Sequence, residues 1–196
     1  PEVNPDHLDL VARQSFGGGA IIANPNCSTI GMVLALAPLH QAFGVERVNV
    51  VSLQAISGAG MPGVASLQIV DNVIPFIPGE EEKIQSETQK ILGCVQATGI
   101  EPADFPVSCT CTRVNVMDGH TEAVFASTEQ PISPELARRA MAEYDGHLKS
   151  VGLPSAPCHS ILVRDEPDRP QPRLDRNADD GMAAVVGRLR PDPALA

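Results

Sequence analysis

From Ile30 to Phe43 the chain is apolar around almost the whole circumference of a helix, and such a helix is stable only when other elements cover it on most sides. The fold must therefore wrap a buried helix, which Pro38 is expected to kink by removing one helical N–H. Gly31, Pro38, His40 and Gln41 interrupt even this segment, so no run of about 18 apolar residues arises and no membrane span is expected. With 196 residues, 43% apolar and 19% charged, the chain can bury one sizeable core; we expect one domain over residues 1–190 and a short tail at 191–196.

Ala20-Ile21-Ile22-Ala23 reads as a short strand running into the turn Asn24-Pro25-Asn26, after which Ser28 or Thr29 can cap the helix. Cys27 then sits at a strand-to-helix junction. Arg47 to Ile56, rich in β-branched residues, predicts a strand that ends in the loop Ser57-Gly58-Ala59-Gly60. Val64 to Ile74 carries a helical pattern. Pro78-Gly79 breaks it before a second helix from Glu80 to about Leu92, with Ile84, Thr88, Ile91 and Leu92 on one face and Glu80, Lys83, Glu87 and Lys90 on the other. Val107 to Val116 and His120 to Ser127 predict two strands around the turn Met117-Asp118-Gly119, as a hairpin or close antiparallel pair. Ser133-Pro134-Glu135 starts a helix whose Leu136, Ala137, Ala140, Met141 and Tyr144 pack on a sheet. Ile161 to Val163 and Ala183 to Leu189 read as strands separated by a surface loop or arm, Arg164 to Asp180. Long helices among these strands give an α+β class, with a mixed sheet carrying helices on one face. The other face is left for a partner, because Val48 to Ile56 and Val107 to Val116 hold few charges.

A formal net charge of −10 without a basic stripe argues against nucleic acid. The five cysteines include no C-x-x-C pair, which argues against a metal site or a disulfide framework and for a reducing, cytoplasmic setting. Cys94, Cys109 and Cys158 read as small buried hydrophobes. The chain opens at Pro1-Glu2-Val3-Asn4 with neither an initiator Met nor a leader, as an internal start would.

Cys27 is different. At the amino end of a helix it faces unpaired N–H groups and the positive end of the dipole, which favour thiolate and can also stabilise an oxyanion on a carbon bonded to the sulfur. A structural cysteine at a helix start is an equally good reading of that feature alone. His120, just after a tight turn at a strand end, can project into a cleft; His7, His40, His147 and His159 have no comparable setting.

Asn24-Pro25-Asn26-Cys27-Ser28-Thr29, Gln54 ahead of Ser57-Gly58-Ala59-Gly60, Pro78-Gly79-Glu80-Glu81-Glu82-Lys83, and Arg113 ahead of Gly119-His120-Thr121-Glu122 occur in one order. Together with the arm motif Arg164 to Arg173 they resemble the aspartate-semialdehyde dehydrogenases, over residues 1 to about 190. The resemblance implies a glyceraldehyde-3-phosphate-dehydrogenase-like C-terminal domain and a homodimer or homotetramer. It further implies NADP-dependent reduction of β-aspartyl phosphate to aspartate semialdehyde, on the route to lysine, threonine and methionine. In its terms Cys27 is the nucleophile, His120 the general acid/base, and Gln54 orients the substrate. Arg113 clamps the α-carboxylate, Glu80 takes the ammonium, Lys83 reaches the phosphate, and Asn26 contributes to substrate binding. Ser57 and Gly58 lie against the nicotinamide end of NADP. Without the resemblance the Glu80 to Lys90 charges read as a solvated helix face.

The nucleotide-binding domain that the family places before this segment is expected to be absent from the chain, which alone should not complete a cycle. Two other readings compete: a malonyl-CoA-reductase-like acyl reductase, and a dimerisation or ligand-binding remnant without catalysis. Glu80, as partner of an amino group, favours the aspartyl substrate over the first. Cys27, Gln54, Arg113 and His120 together disfavour the second.

Overall fold

A computed structural model describes residues 2–146 and 152–194. His147 lies outside the described residues, as does the end of the expected tail. After a 3-10 segment at Pro5–Arg13 the order is α1 (Cys27–Phe43), β1 (Val45–Gln54), α2 (Ser66–Ile69), β2 (Val73–Ile74), α3 (Glu80–Ile91), β3 (Cys94–Gln96) and β4 (Gly99–Glu101). There follow β5 (Val107–Val114), β6 (Thr121–Thr128), α4 (Pro134–Glu143), β7 (Ile161–Val163), α5 (Pro172–Asp175) and β8 (Ala184–Val186). The main sheet has the order β2-β5-β1-β6, with β1 parallel to β5 and antiparallel to β6. It is mixed, and the class is α+β as expected.

α1 is the buried helix that the sequence demands: Met32, Val33, Leu34, Leu36, Ala37 and Leu39 are all within the core, and the helix continues through a buried Pro38. It begins three residues earlier than expected because Asn26 is the cap, its Oδ1 accepting from the Ser28 and Thr29 N–H groups at 2.9 and 3.3 Å. Ser28 and Thr29 are buried within the helix instead. Ala20 to Ala23 pairs with no strand, and Ile21 and Ile22 stay 65% and 64% exposed, so Cys27 lies at a coil-to-helix junction.

One residue, Gly44 at φ 66°, reverses the chain between α1 and β1. A Cβ there would stand 2.8 Å from a Glu129 carboxylate oxygen. The turn sets the start of α1 beside the end of β1. Along β1, Val48, Val50, Ser52 and Gln54 point into the helix-covered side, and Asn49 and Val51 point away. The core between sheet, α1 and α3 includes Met32, Val50, Ile84, Phe105 and Cys111.

The expected hairpin between the last two long strands does not form. β1, the longest strand, separates β5 from β6, and the chain between them crosses its end, a span of ~10 Å for two strand spacings. Ile56 and Ser57 hold that crossing by donating to the Val116 and Met117 carbonyls at 2.8 and 3.1 Å. Val64 to Ile74 yields only the single turn of α2, because Asp71 takes a left-handed φ of 57° and Val73–Ile74 then pairs with β5 as an edge strand. α4, capped by Ser133, lies against α1 and β7 instead of the main sheet.

The arm is more than a surface loop. Asp175 on α5 is 4% exposed and receives hydrogen bonds from Arg169, Arg164 and the Gln171 backbone N–H. The Arg169 hydrogen bonds chiefly hold its carboxyl down to about 2. A depressed folded-state pKa stabilises above the ordinary carboxylate value of ~3.9 and loses that contribution as pH falls through about 2. The stability gap between wild type and Asp175→Asn should therefore close between pH ~4 and ~2 in urea melts. A constant gap over that range would show that the ion cluster does not titrate with folding.

Candidate active site

The end of β1, the start of α1, the start of α3 and the β5–β6 crossing meet at one edge of the domain. Cys27 is the first residue of α1, and its sulfur lies 3.2 Å from His120 Nε2, contributed by the crossing just before β6. The ring is oriented from behind by the Ala55 backbone N–H, which donates to Nδ1 at 2.9 Å. In the neutral ring Nδ1 is then the acceptor and Nε2 the donor.

Arg113, 6% exposed at the end of β5, donates from Nη1 to the Ala55 carbonyl at 2.8 Å. Both side chains converge on Gly58: a Cβ there would stand 2.8 Å from His120 Cε1 and 2.9 Å from Arg113 Nη1. The crossing over β1, where a hairpin had been expected, brings Arg113 and His120 together. Gly58 is glycine because of this approach, and the 57–60 turn around it is exposed.

Glu80 opens α3 with its side chain 13% exposed, so it is no member of a solvated face. Oε2 accepts from Asn26 Nδ2 at 2.6 Å and Gln54 Nε2 at 3.3 Å, and Oε1 from Lys83 Nζ at 3.1 Å. Burial alone would push the Glu80 carboxyl up; the hydrogen bonds from Asn26, Lys83 and Gln54 outweigh it and hold the carboxyl below its usual value. Asn26 spends its whole side chain here, the oxygen on the α1 cap and the nitrogen on Glu80. Gln54 is 1% exposed and beside Arg113 in the sheet register, with its amide on Ser52 and Glu80. Lys83, by contrast, is largely exposed at the rim. His7 and His40 hold backbone groups elsewhere.

The thiol does not behave as the helix start alone predicts. Burial and then the Glu80 charge push the Cys27 thiol up, against the lowering pull of the Ser28 and Cys27 N–H groups and Arg113. The dipole argument omitted a carboxylate one helix away. For His120, burial and the Arg113 charge lower its pKa against an opposing pull from Glu80. Cys94 and Cys158 are exposed, contrary to expectation, while Cys109 and Cys111 are buried.

Two residues beside the site were given no role by sequence reasoning. Ala55 acts through its backbone, which no residue type announces. Glu122, paired with Ser52 across β1 and β6, is half-buried on the helix-covered side with one buried oxygen unpartnered among the described residues, and burial pushes its carboxyl up to about 8. The signal available was its place two residues after His120, on the same side of the strand. Among the described residues no helix is long and apolar enough to cross a membrane, and no cluster of His, Cys, Asp and Glu could hold a metal ion.

The family model for the semialdehyde dehydrogenase dimerisation domain matches residues 36–196. The aspartate-semialdehyde dehydrogenase of Methanothermobacter thermautotrophicus is 50% identical over 100% of this chain and 57% of its own length. That of Archaeoglobus fulgidus is 52% identical over 98% of the chain and 55% of its own length. The crystal structure of the Candida albicans aspartate-semialdehyde dehydrogenase with NADP superposes with a TM-score of 0.89 at 43% identity, covering 100% of this chain and 58% of that one. The chain thus spans somewhat over half the length of these relatives.

Proposed function

The chain belongs to the semialdehyde dehydrogenase family, and from that premise we propose that the protein reduces β-aspartyl phosphate to L-aspartate 4-semialdehyde through a thioester on Cys27. The observation that carries this reading is the pairing of Cys27 Sγ with His120 Nε2 at 3.2 Å, flanked by Arg113 and by Glu80. Thiolate attack on the acyl carbon releases phosphate and leaves a thioester; hydride addition then gives the thiohemiacetal, and loss of sulfur gives the aldehyde. In this reading Arg113 grips the α-carboxylate, Glu80 takes the α-ammonium, and Lys83 swings from Glu80 to the phosphate. Asn26 and Gln54 hold the Glu80 carboxylate on which the ammonium lands. Docking of that ammonium offsets the Glu80 charge, which after burial is what raises the Cys27 thiol.

NADPH, when bound, would supply the hydride. The 57–60 turn is exposed beside His120, and we assign Ser57 and Gly58 to its nicotinamide end. The remaining length of the relatives is the natural source of the rest of the cofactor site. The decisive assay follows the reverse reaction of the whole protein with aspartate semialdehyde, phosphate and NADP, and traps the acyl adduct by mass spectrometry. Oxidation of malonate semialdehyde onto coenzyme A in place of aspartate semialdehyde onto phosphate, or an adduct on another residue, would overturn the proposal.

The bare sheet face, with Asn49 and Val51 on β1 and Ser108 and Thr110 on β5, is the proposed contact with a second copy. Sedimentation should show a dimer or larger, and Val51→Asp should weaken association at least about tenfold by burying an unpaired charge. An unchanged association constant would place the interface elsewhere.

A further inference from the structure

The arm has no part in the chemistry above, yet its short helix α5 meets the segment that carries His120. Arg176, the residue after α5, donates from Nη1 to the Asp118 carbonyl at 3.3 Å, and the same nitrogen stands 4.0 Å from Asp118 Oδ2. Gly119 lies between Asp118 and His120 at φ 92°, a conformation that side chains disfavour. An added Cβ would also be crowded, because it would come within 3.2 Å of the Pro172 and Arg176 Cβ atoms. Glycine at 119 leaves room for α5 to approach the turn this closely.

A single four-residue turn such as α5 is not stable by itself and must be held by its surroundings. The holding group is Asp175, buried at the meeting of three donors: the Arg164 side chain just after β7, the Arg169 side chain, and the Gln171 N–H. The Arg164 backbone N–H in turn donates to the Val186 carbonyl on β8 at 2.7 Å. The ion cluster thus ties α5 to the β7–β8 pair, and Arg176 extends the tie to the turn before His120.

Two elements therefore grip the crossing. The Val116 and Met117 carbonyls accept from Ile56 and Ser57, just past β1, and the Asp118 carbonyl accepts from Arg176, just past α5. His120 comes next in the chain, with 3.2 Å between its Nε2 and the Cys27 sulfur. Loss of the second grip frees the backbone beside His120 to shift, and a displacement of about 1 Å at a reacting pair can cost on the order of 10²-fold in rate. We propose that Arg176 is a positioning residue: anchored through α5 by the Asp175 cluster, it clamps the Asp118-Gly119 turn and so sets His120 against Cys27. This rests on the thioester reading above and keeps the role of His120 that the family resemblance implies.

The test compares Arg176→Ala and Arg176→Lys in the whole protein. Steady-state kinetics with aspartate semialdehyde, phosphate and NADP are read beside proton–nitrogen correlation spectra of the histidine rings, with His120 assigned by its loss in His120→Gln. Arg176→Ala should lower kcat about ten- to a hundredfold with KM little changed, and should move the His120 ring signal. Arg176→Lys, whose ammonium can still donate to the Asp118 carbonyl, should recover several-fold of that loss and bring the signal back toward wild type. An arginine that only stabilised the domain would lower the unfolding transition and leave kcat per folded molecule and the ring signal as they are. Wild-type kcat, or an unmoved ring signal, in Arg176→Ala would overturn the proposal. The ring signal is read without turnover, so a protein inactive on aspartate semialdehyde whose ring signal still moves would sink the thioester reading and leave the clamp standing.

Discussion

Cys27→Ser should lower kcat by on the order of 10⁴- to 10⁶-fold with little change in KM, the scale seen when an enzyme loses its covalent nucleophile. The effect is large for two reasons. A serine hydroxyl is far less acidic than a thiol, so far less of it is ionised for attack. The Glu80 charge opposes ionisation of anything placed there. The fold should survive, because the α1 cap is the Asn26 side chain and Cys27 itself is exposed. Steady-state kinetics of the whole protein, with a thermal melt as control, decide the matter. Residual kcat within a hundredfold of wild type would mean that the flux does not pass through a thioester on this residue.

The next largest effect is expected at Arg113, where Arg113→Lys should cost about 2 to 4 kcal/mol in kcat/KM, roughly 30- to 1000-fold. One guanidinium nitrogen is already committed to the Ala55 carbonyl, and the others remain to grip a carboxylate in two places. A lysine keeps the charge, but a single ammonium cannot hold the backbone and present a planar fork at once. The loss should fall mainly on KM if the carboxylate is held equally in ground and transition states. Wild-type kcat/KM in Arg113→Lys would show that the arginine only braces the end of β1, and the substrate assignment would fall with it.

Much of this site was legible because its elements are bounded by local chemistry. Pro78-Gly79 before three glutamates marks the start of α3, Ser133-Pro134 marks the start of α4, and the apolar circumference of Ile30 to Phe43 demands burial. The misreadings share one cause, which is that strand partners are chosen by tertiary packing. Val107 to Val116 and His120 to Ser127 have a turn between them that would suit a hairpin, and nothing local says that β1 will lie between them. Val73 and Ile74 look helical until an edge of the sheet offers them hydrogen bonds, while Ile21 and Ile22 look like a strand and receive none. At the site, residue types pointed to Cys27, His120, Arg113 and Glu80. Electrostatic outcomes did not follow from type: the Cys27 thiol depends on a carboxylate more than fifty residues away in sequence, and the Glu80 carboxylate on Asn26, Lys83 and Gln54.

The crossing of the 115–120 segment over the end of β1 also bears on how the chain acquires its reactivity as it folds. Cys27 and His120 are 93 residues apart in sequence, and no local element brings them together. Contacts of such long range close late, since the loop entropy must be overcome before they contribute stability. A chain that has built α1 and paired β1 with β5, but has not yet laid β6 along the other edge of β1, has a nucleophile without its partner. Partly folded molecules therefore lack the competent pair, which arises only once the central strand has gained both of its neighbours.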